Sequence, residues 1–120
     1  MNKWDIWVAD FRYEDQPEQS KRRPVLLLDV SADGSDVLLA KITTVTDERR
    51  MRKNKVWGEY ELLDYEKAKL DKPSIVRLSK TIVIPPDKLE YKIGRLQARD
   101  VLNIQKLLKQ YKGKKRPDEQ

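Results

Sequence analysis

Apolar and polar residues alternate with a period near two through most of this chain, and a helical period takes over only towards its C-terminal end. Trp4 to Phe11 is rich in aromatic and β-branched residues, with Trp4, Ile6 and Val8 on one face and Trp7, Ala9 and Phe11 on the other. This predicts a strand buried on both sides. Arg12 to Arg22 holds no aliphatic residue and predicts an exposed loop. Val25 to Val30 predicts a second core strand, Asp33-Gly34 a turn in the polar link Ser31 to Asp36, and Val37 to Val45 a third strand paired with the second. Residues 46 to 55 carry five cations, two anions and no apolar face, the pattern of a basic loop. Trp57 to Leu63 alternates weakly as a strand, and Asp64 to Lys69 suits one short helical turn. Ser74 to Ile84 alternates most clearly, with Val76, Leu78, Ile82 and Ile84 expected on one face and Arg77, Ser79 and Thr81 on the other.

After a break at Pro85-Pro86-Asp87 and a turn expected at Gly94, residues 98 to 112 place Val101, Ile104, Leu108 and Tyr111 on one helical stripe beside Leu107. Asp100 favours the helix start, Lys109 and Lys112 its end, and Gly113 its termination. The expected organisation is one domain over residues 1 to 112 and a basic, frayed tail over 113 to 120. Five or six short antiparallel strands followed by a packing helix predict a mainly β fold: a small, curled, SH3-like β-barrel with a C-terminal helix.

Composition narrows the chemistry. The 120 residues include 26 basic and 20 acidic side chains, a net charge of +6. That balance suits polyanionic partners and equally suits a merely solvated surface. Histidine and cysteine are both absent. This excludes disulfides, thiol nucleophiles and histidine acid/base pairs, and removes the ligands on which nearly all zinc sites depend. Neither a metal nor a cofactor is expected, and any reaction must run on Arg, Lys, Asp, Glu, Ser, Thr or Tyr. No apolar run reaches the length of a membrane span, and Met1 to Asp5 lacks a signal-peptide core, so a cytoplasmic protein is expected.

One dipeptide is placed to do something with that charge. Arg23-Pro24 closes the charged loop and opens the apolar run Val25 to Leu28. Proline fixes its own φ and biases the preceding residue towards extended geometry, so Arg23 is held at the mouth of a strand. A permanently charged, pre-positioned guanidinium suits phosphate. A simple ion pair with Asp10 or Asp29 is the plainer alternative.

Asp5 to Phe11, then Glu18-Gln19, then Arg22-Arg23-Pro24-Val25-Leu26-Leu27-Leu28 resembles the opening of the MazF/PemK family of toxin endoribonucleases. The resemblance continues in order through Leu39 to Thr44, Ser74 to Leu78 and Lys92 to Leu96. It implies a homodimeric barrel that cuts single-stranded RNA without a metal. An acidic antitoxin partner is expected to lie in its substrate groove, and the complex of the two to bind DNA. The family's active-site arginine and threonine fall on Arg23 and Thr43, and an arginine used by some members falls on Arg77. Glu18 is the remaining candidate for catalysis. Gln19, Arg22, Thr44, Ser79, Lys80, Arg50, Arg52 and Trp57 are candidates for holding substrate.

The residue types fit most of that chemistry. Metal-free cleavage needs the 2'-hydroxyl deprotonated, the pentacoordinate phosphorus stabilised and the leaving 5'-oxygen protonated. Arg23 or Arg77 can stabilise the phosphorane through forked hydrogen bonds, and Thr43 can donate another. Arginine, with a pKa above about 12, is a reluctant base. In members with the late-strand arginine the base is an aspartate two positions on, and here that position is Ser79, followed by Lys80. Either Glu18 takes over, or catalysis is weak, or the chain binds RNA or an acidic antitoxin without cutting. The usual glycine before the first strand's Asp is Trp4, and Gln16-Pro17 replaces the usual Gly-Ser.

Overall fold

The computed structural model describes residues 1–10, 22–48 and 58–113. Among them run strands β1 (Asp5–Asp10), β2 (Arg22–Val30), β3 (Val37–Thr44), β4 (Glu59–Glu61), β5 (Ser74–Ile84) and β6 (Leu89–Arg95), followed by helix α1 (Ala98–Gly113). A 3-10 turn over Pro86–Lys88 joins β5 to β6. The strands form one antiparallel sheet in the order β4-β5-β3-β2-β1-β6. The expected mainly β fold with a C-terminal helix is present, as a curled sheet that is not closed among the described strands.

Each face of the sheet buries its own core. Ile6, Leu26, Ala40, Ile42 and Val76 turn towards α1 and pack with Leu96 and Ile104. Ala9, Val25, Leu27, Val37, Leu39, Ile84 and Leu89 form the second cluster, with Trp7 and Ile82 against it. The cross-strand register explains the division. Ile6 pairs with Leu26 and Leu26 with Ala40, whereas Val25 pairs with Lys41 and Leu27 with Leu39. Alternate residues of one strand therefore serve opposite cores.

In β5 the expected single apolar face is not what forms. Lys41 pairs with Arg77 but its neighbour Ala40 pairs with Thr81, so Leu78, Ser79 and Lys80 bulge out of the β3 ladder. Three extra residues reverse side-chain parity, because strand faces alternate with a period of two. Val76 and Leu78 consequently join the helix-side core, while Ile82 and Ile84 join the opposite one.

Three local departures from the sequence expectation have physical causes. Trp4 lies outside β1, at φ 74°, held there as its N–H donates to Leu27 O and its carbonyl accepts from Leu96 N, both at 2.8 Å. β2 begins at Arg22, three residues before the expected start, because Arg22, Arg23 and Pro24 pair with β1. Gly94 is no turn: it pairs with Ile6 inside β6, and a Cβ there would stand 2.2 Å from the carbonyl oxygen of Ala68. Its role is to let the 64–70 turn approach the sheet. Asp33-Gly34 does form the expected turn, with Gly34 at φ 74°. There Asp33 accepts hydrogen bonds from Ser35 Oγ, Ser31 Oγ and Ser35 N, which lower its carboxyl pKa to about 2.

Asp100 does more than complement the helix dipole. It is buried, and its carboxylate accepts from Tyr60 Oη at 2.5 Å and from the backbone N–H groups of Leu63 and Asp64 at 2.9 Å. Asn103 Nδ2 donates to the same Tyr60 oxygen at 3.0 Å, and Arg99 forks onto Asp64 at 2.8 and 3.2 Å. One turn of α1 thus fixes β4 and the chain that leaves it. Burial, and then the bond to Asp100, push the Tyr60 phenol well above its ordinary 10.0.

Two outcomes are expected. Gly94→Ala forces backbone apart at Ala68 and should lower unfolding free energy by about 2 kcal/mol or more, read as a shift in urea midpoint. Because Tyr60 has a raised folded pKa, its stabilisation is complete below about pH 10 and is lost as pH rises towards the folded value. The stability gap between the wild type and Tyr60→Phe should therefore be constant from pH 7 to about 9 and narrow above about 10 in thermal melts. A gap that widened there would contradict it.

Candidate functional site

The site is built where the β2–β3 pairing runs out. The β2–β3 ladder ends at Val25 and Lys41, and continuing its register by two residues sets Arg23 abreast of Thr43. Pro24 lies beyond that paired stretch on the β3 side, where its missing N–H breaks no ladder bond. The strand ends then splay around a pocket of about 460 Å³ lined by Arg22, Arg23, Pro24, Ile42, Thr43, Thr44, Leu70, Asp71, Lys72 and Ser74. Arg23 is exposed and Thr43 half-buried, so a guanidinium and a hydroxyl can both meet a ligand entering it.

Arg77 stands beside this pocket rather than in its wall. Thr43 pairs with Ile75, and Arg77 pairs with Lys41, so Arg77 is on the same sheet face as Thr43 and about 7 Å further along β5. Its Nε lies 3.5 Å from Glu59 Oε2 across the β4–β5 ladder. Ser79 and Lys80 occupy the β5 bulge, half-buried and exposed respectively. Of the remaining candidates, Arg22 lines the pocket and also meets Glu90 at 3.0 Å, and Thr44 is exposed at the rim. Glu18, Gln19, Arg50, Arg52 and Trp57 lie outside the described residues, as do Phe11 and the rest of the basic loop from Arg49 onward. Asp29, the alternative partner for Arg23, meets Lys3 Nζ at 3.8 Å.

The far wall, Leu70 to Lys72 and Ser74, went unread in the sequence. Its signal was available: Lys72-Pro73 opens β5 as Arg23-Pro24 opens the core run of β2, a cation set before proline at a strand mouth. Both cations line one pocket, and Asp71 is the carboxylate among them. An anionic group bearing hydrogen-bond acceptors is the ligand class such a lining suits.

The architecture is thus that of a small curled antiparallel sheet, capped by one helix, with a cationic pocket at its open strand ends. Residues 2–111 match the model of the PemK-like, MazF-like toxins of type II toxin-antitoxin systems, and the chain belongs to that family. Among solved structures it is similar to the Mycobacterium tuberculosis toxin MazF-mt6, at 24% identity and TM-score 0.64 over 88% of this chain and 93% of the other. It is similar also to a mycobacterial endoribonuclease solved in complex with its cognate antitoxin, at 15% identity and TM-score 0.69 over 98% and 99% of the two chains. A third, a toxin from M. tuberculosis, is 25% identical with TM-score 0.57 over 73% of this chain and 90% of its own. Comparison with curated proteins finds no match. No helix among the described residues is long and apolar enough to cross a membrane.

Proposed function

We propose that this toxin-family chain is a metal-independent endoribonuclease that cleaves single-stranded RNA with sequence preference. The observation that carries the reading is the meeting of Arg23 and Thr43 in one pocket of a chain that belongs to the PemK/MazF family. In the proposed reaction the 2'-hydroxyl loses its proton and its oxygen attacks the adjacent phosphorus. The bond to the 5'-oxygen breaks, and that oxygen takes up a proton, leaving a 2',3'-cyclic phosphate. Arg23 and Arg77 hold the non-bridging oxygens as negative charge builds on them, and Thr43 donates a further hydrogen bond. Glu18 is the proposed base. Cations of the 49–55 loop, with Trp57, add backbone and stacking contacts to the RNA.

The same cationic lining would accept the carboxylates of an acidic antitoxin, which would silence the site by occupying it. A structural neighbour solved with its cognate antitoxin supports that partner. A cytoplasmic homodimer, and DNA binding by the toxin–antitoxin complex, complete the proposal.

A second reading has one specific observation in its favour. Ser79 stands where an acid is expected and lies in the β5 bulge, so the chain would bind RNA or antitoxin and cut poorly or not at all. Retained RNA binding without cleavage, even in Ser79→Asp, would establish it.

Purified protein incubated with a long single-stranded transcript in EDTA should give discrete fragments ending in cyclic phosphate. Arg23→Ala should slow their appearance on the order of 100-fold, the loss typical of one transition-state donor. Equal cleavage by both proteins, or none by the wild type on several transcripts, would overturn the nuclease reading.

A further inference from the structure

Glu59 is the unexplained charge near the site. It is on the edge strand β4, directly across from Arg77, on the sheet face that carries Thr43. Its side chain is only 2% exposed against 23% for Arg77, and its Oε2 stands 3.5 Å from Arg77 Nε. That Nε is itself buried and makes no hydrogen bond among the described residues, so it is charge that holds it, through the ion pair with Glu59. A buried carboxylate carries a large desolvation cost, and the adjacent guanidinium offsets it.

We propose that Glu59 is a positioning residue: it grips Arg77 through Nε and leaves the two Nη groups, held in one plane, to fork onto a phosphate at the Arg23–Thr43 pocket. The proposal rests on the nuclease reading. Glu59 does not take the base role vacated at Ser79, because a carboxylate this buried and already against a guanidinium cannot be reached by a 2'-hydroxyl. Its contribution is geometric. An arginine side chain has several freely rotating bonds, and fixing the guanidinium before substrate arrives removes that freedom from the transition-state barrier. β4 is held in turn by the Tyr60–Asp100 bond next along the strand, so the grip on Arg77 is anchored to α1.

The test uses the transcript in EDTA with wild type, Glu59→Gln, Glu59→Asp, Arg77→Ala and the double variant, with thermal melts to establish folding. Glu59→Gln should lower kcat by about 10- to 100-fold with KM nearly unchanged, and Glu59→Asp should recover part of the loss. The double variant should be no slower than Arg77→Ala alone, since a gripped group that is absent cannot be mispositioned. Wild-type kcat in Glu59→Gln beside a slow Arg77→Ala would overturn the positioning role and leave the nuclease reading standing. Full additivity in the double variant would overturn it too. Wild-type rates in Arg77→Ala would remove Arg77 from the reaction and the role of Glu59 with it. No cleavage by the wild type would overturn both readings.

Discussion

The bulge at Leu78, Ser79 and Lys80 is the constraint on which the rest of the sheet depends. A regular β5 would turn Val76, Leu78, Ile82 and Ile84 to one side and take Ile82 and Ile84 away from the opposite core. Because three residues leave the ladder between Arg77 and Thr81, the N-terminal half of β5 seals the helix-side core with Val76, and the C-terminal half seals the opposite core with Ile82 and Ile84. One strand thereby serves two cores, and a bulge of this kind bends and twists the strand that carries it. Lys41, Thr43 and Arg77 share this second face at one end of β3, and Ile82 and Ile84 close it at the other.

Edge strand β4 is three residues long and among the described strands pairs with β5 alone, too little by itself to hold a side chain in a fixed place. Its position comes from α1. Asp100 gathers a phenol and two backbone N–H groups at a partly buried turn, where an unpaired group costs at most about 1–3 kcal/mol. Gly94 makes the complementary contribution from β6, admitting the Ala68 carbonyl to a distance that no side chain permits. The turn between β4 and β5 is therefore clamped from two directions, and it ends in Leu70, Asp71 and Lys72, the far wall of the pocket.

Legibility in the sequence followed the range of the interaction. Strands whose alternation answers to near neighbours were readable: β5 runs over the expected Ser74 to Ile84, β3 falls one residue short, and the stripe Val101, Ile104, Leu107 and Leu108 packs as a helix should. Arg23 and Thr43 were readable as a pair only through family resemblance, since nothing local in either residue says that the strands bearing them are adjacent. Parity in β5 was not readable, because a bulge is fixed by what both flanking strands require. Asp100 reads locally as a helix-start residue, a role that its place in the first turn allows, whereas its contacts lie 36 to 40 residues away. Gly94 failed for the same reason: glycine signals either a turn or a close approach, and only the partner 26 residues earlier decides between them.

Trp4 carries the sharpest case of a residue working against its own backbone. The family pattern has glycine at this place, and the φ of 74° explains why: L-residues other than Asn, Asp and Gly rarely settle there. Tryptophan bears that strain because its backbone is tied at both ends, to Leu27 and to Leu96, and because its ring packs on the helix-side core beside Leu28. An aromatic side chain buries enough area to outweigh a backbone penalty of about 1–3 kcal/mol. The exchange has a consequence for the rest of the fold. A glycine here supplies a turn and nothing else, whereas Trp4 supplies the turn and also a large apolar wall where β1 begins, between the β2 bulge at Leu28 and the C-terminal half of α1 at Leu108. The strain is thus converted into a contact that fixes the register of β1, and through β1 the place at which Arg23, paired with Ala9, emerges at the pocket.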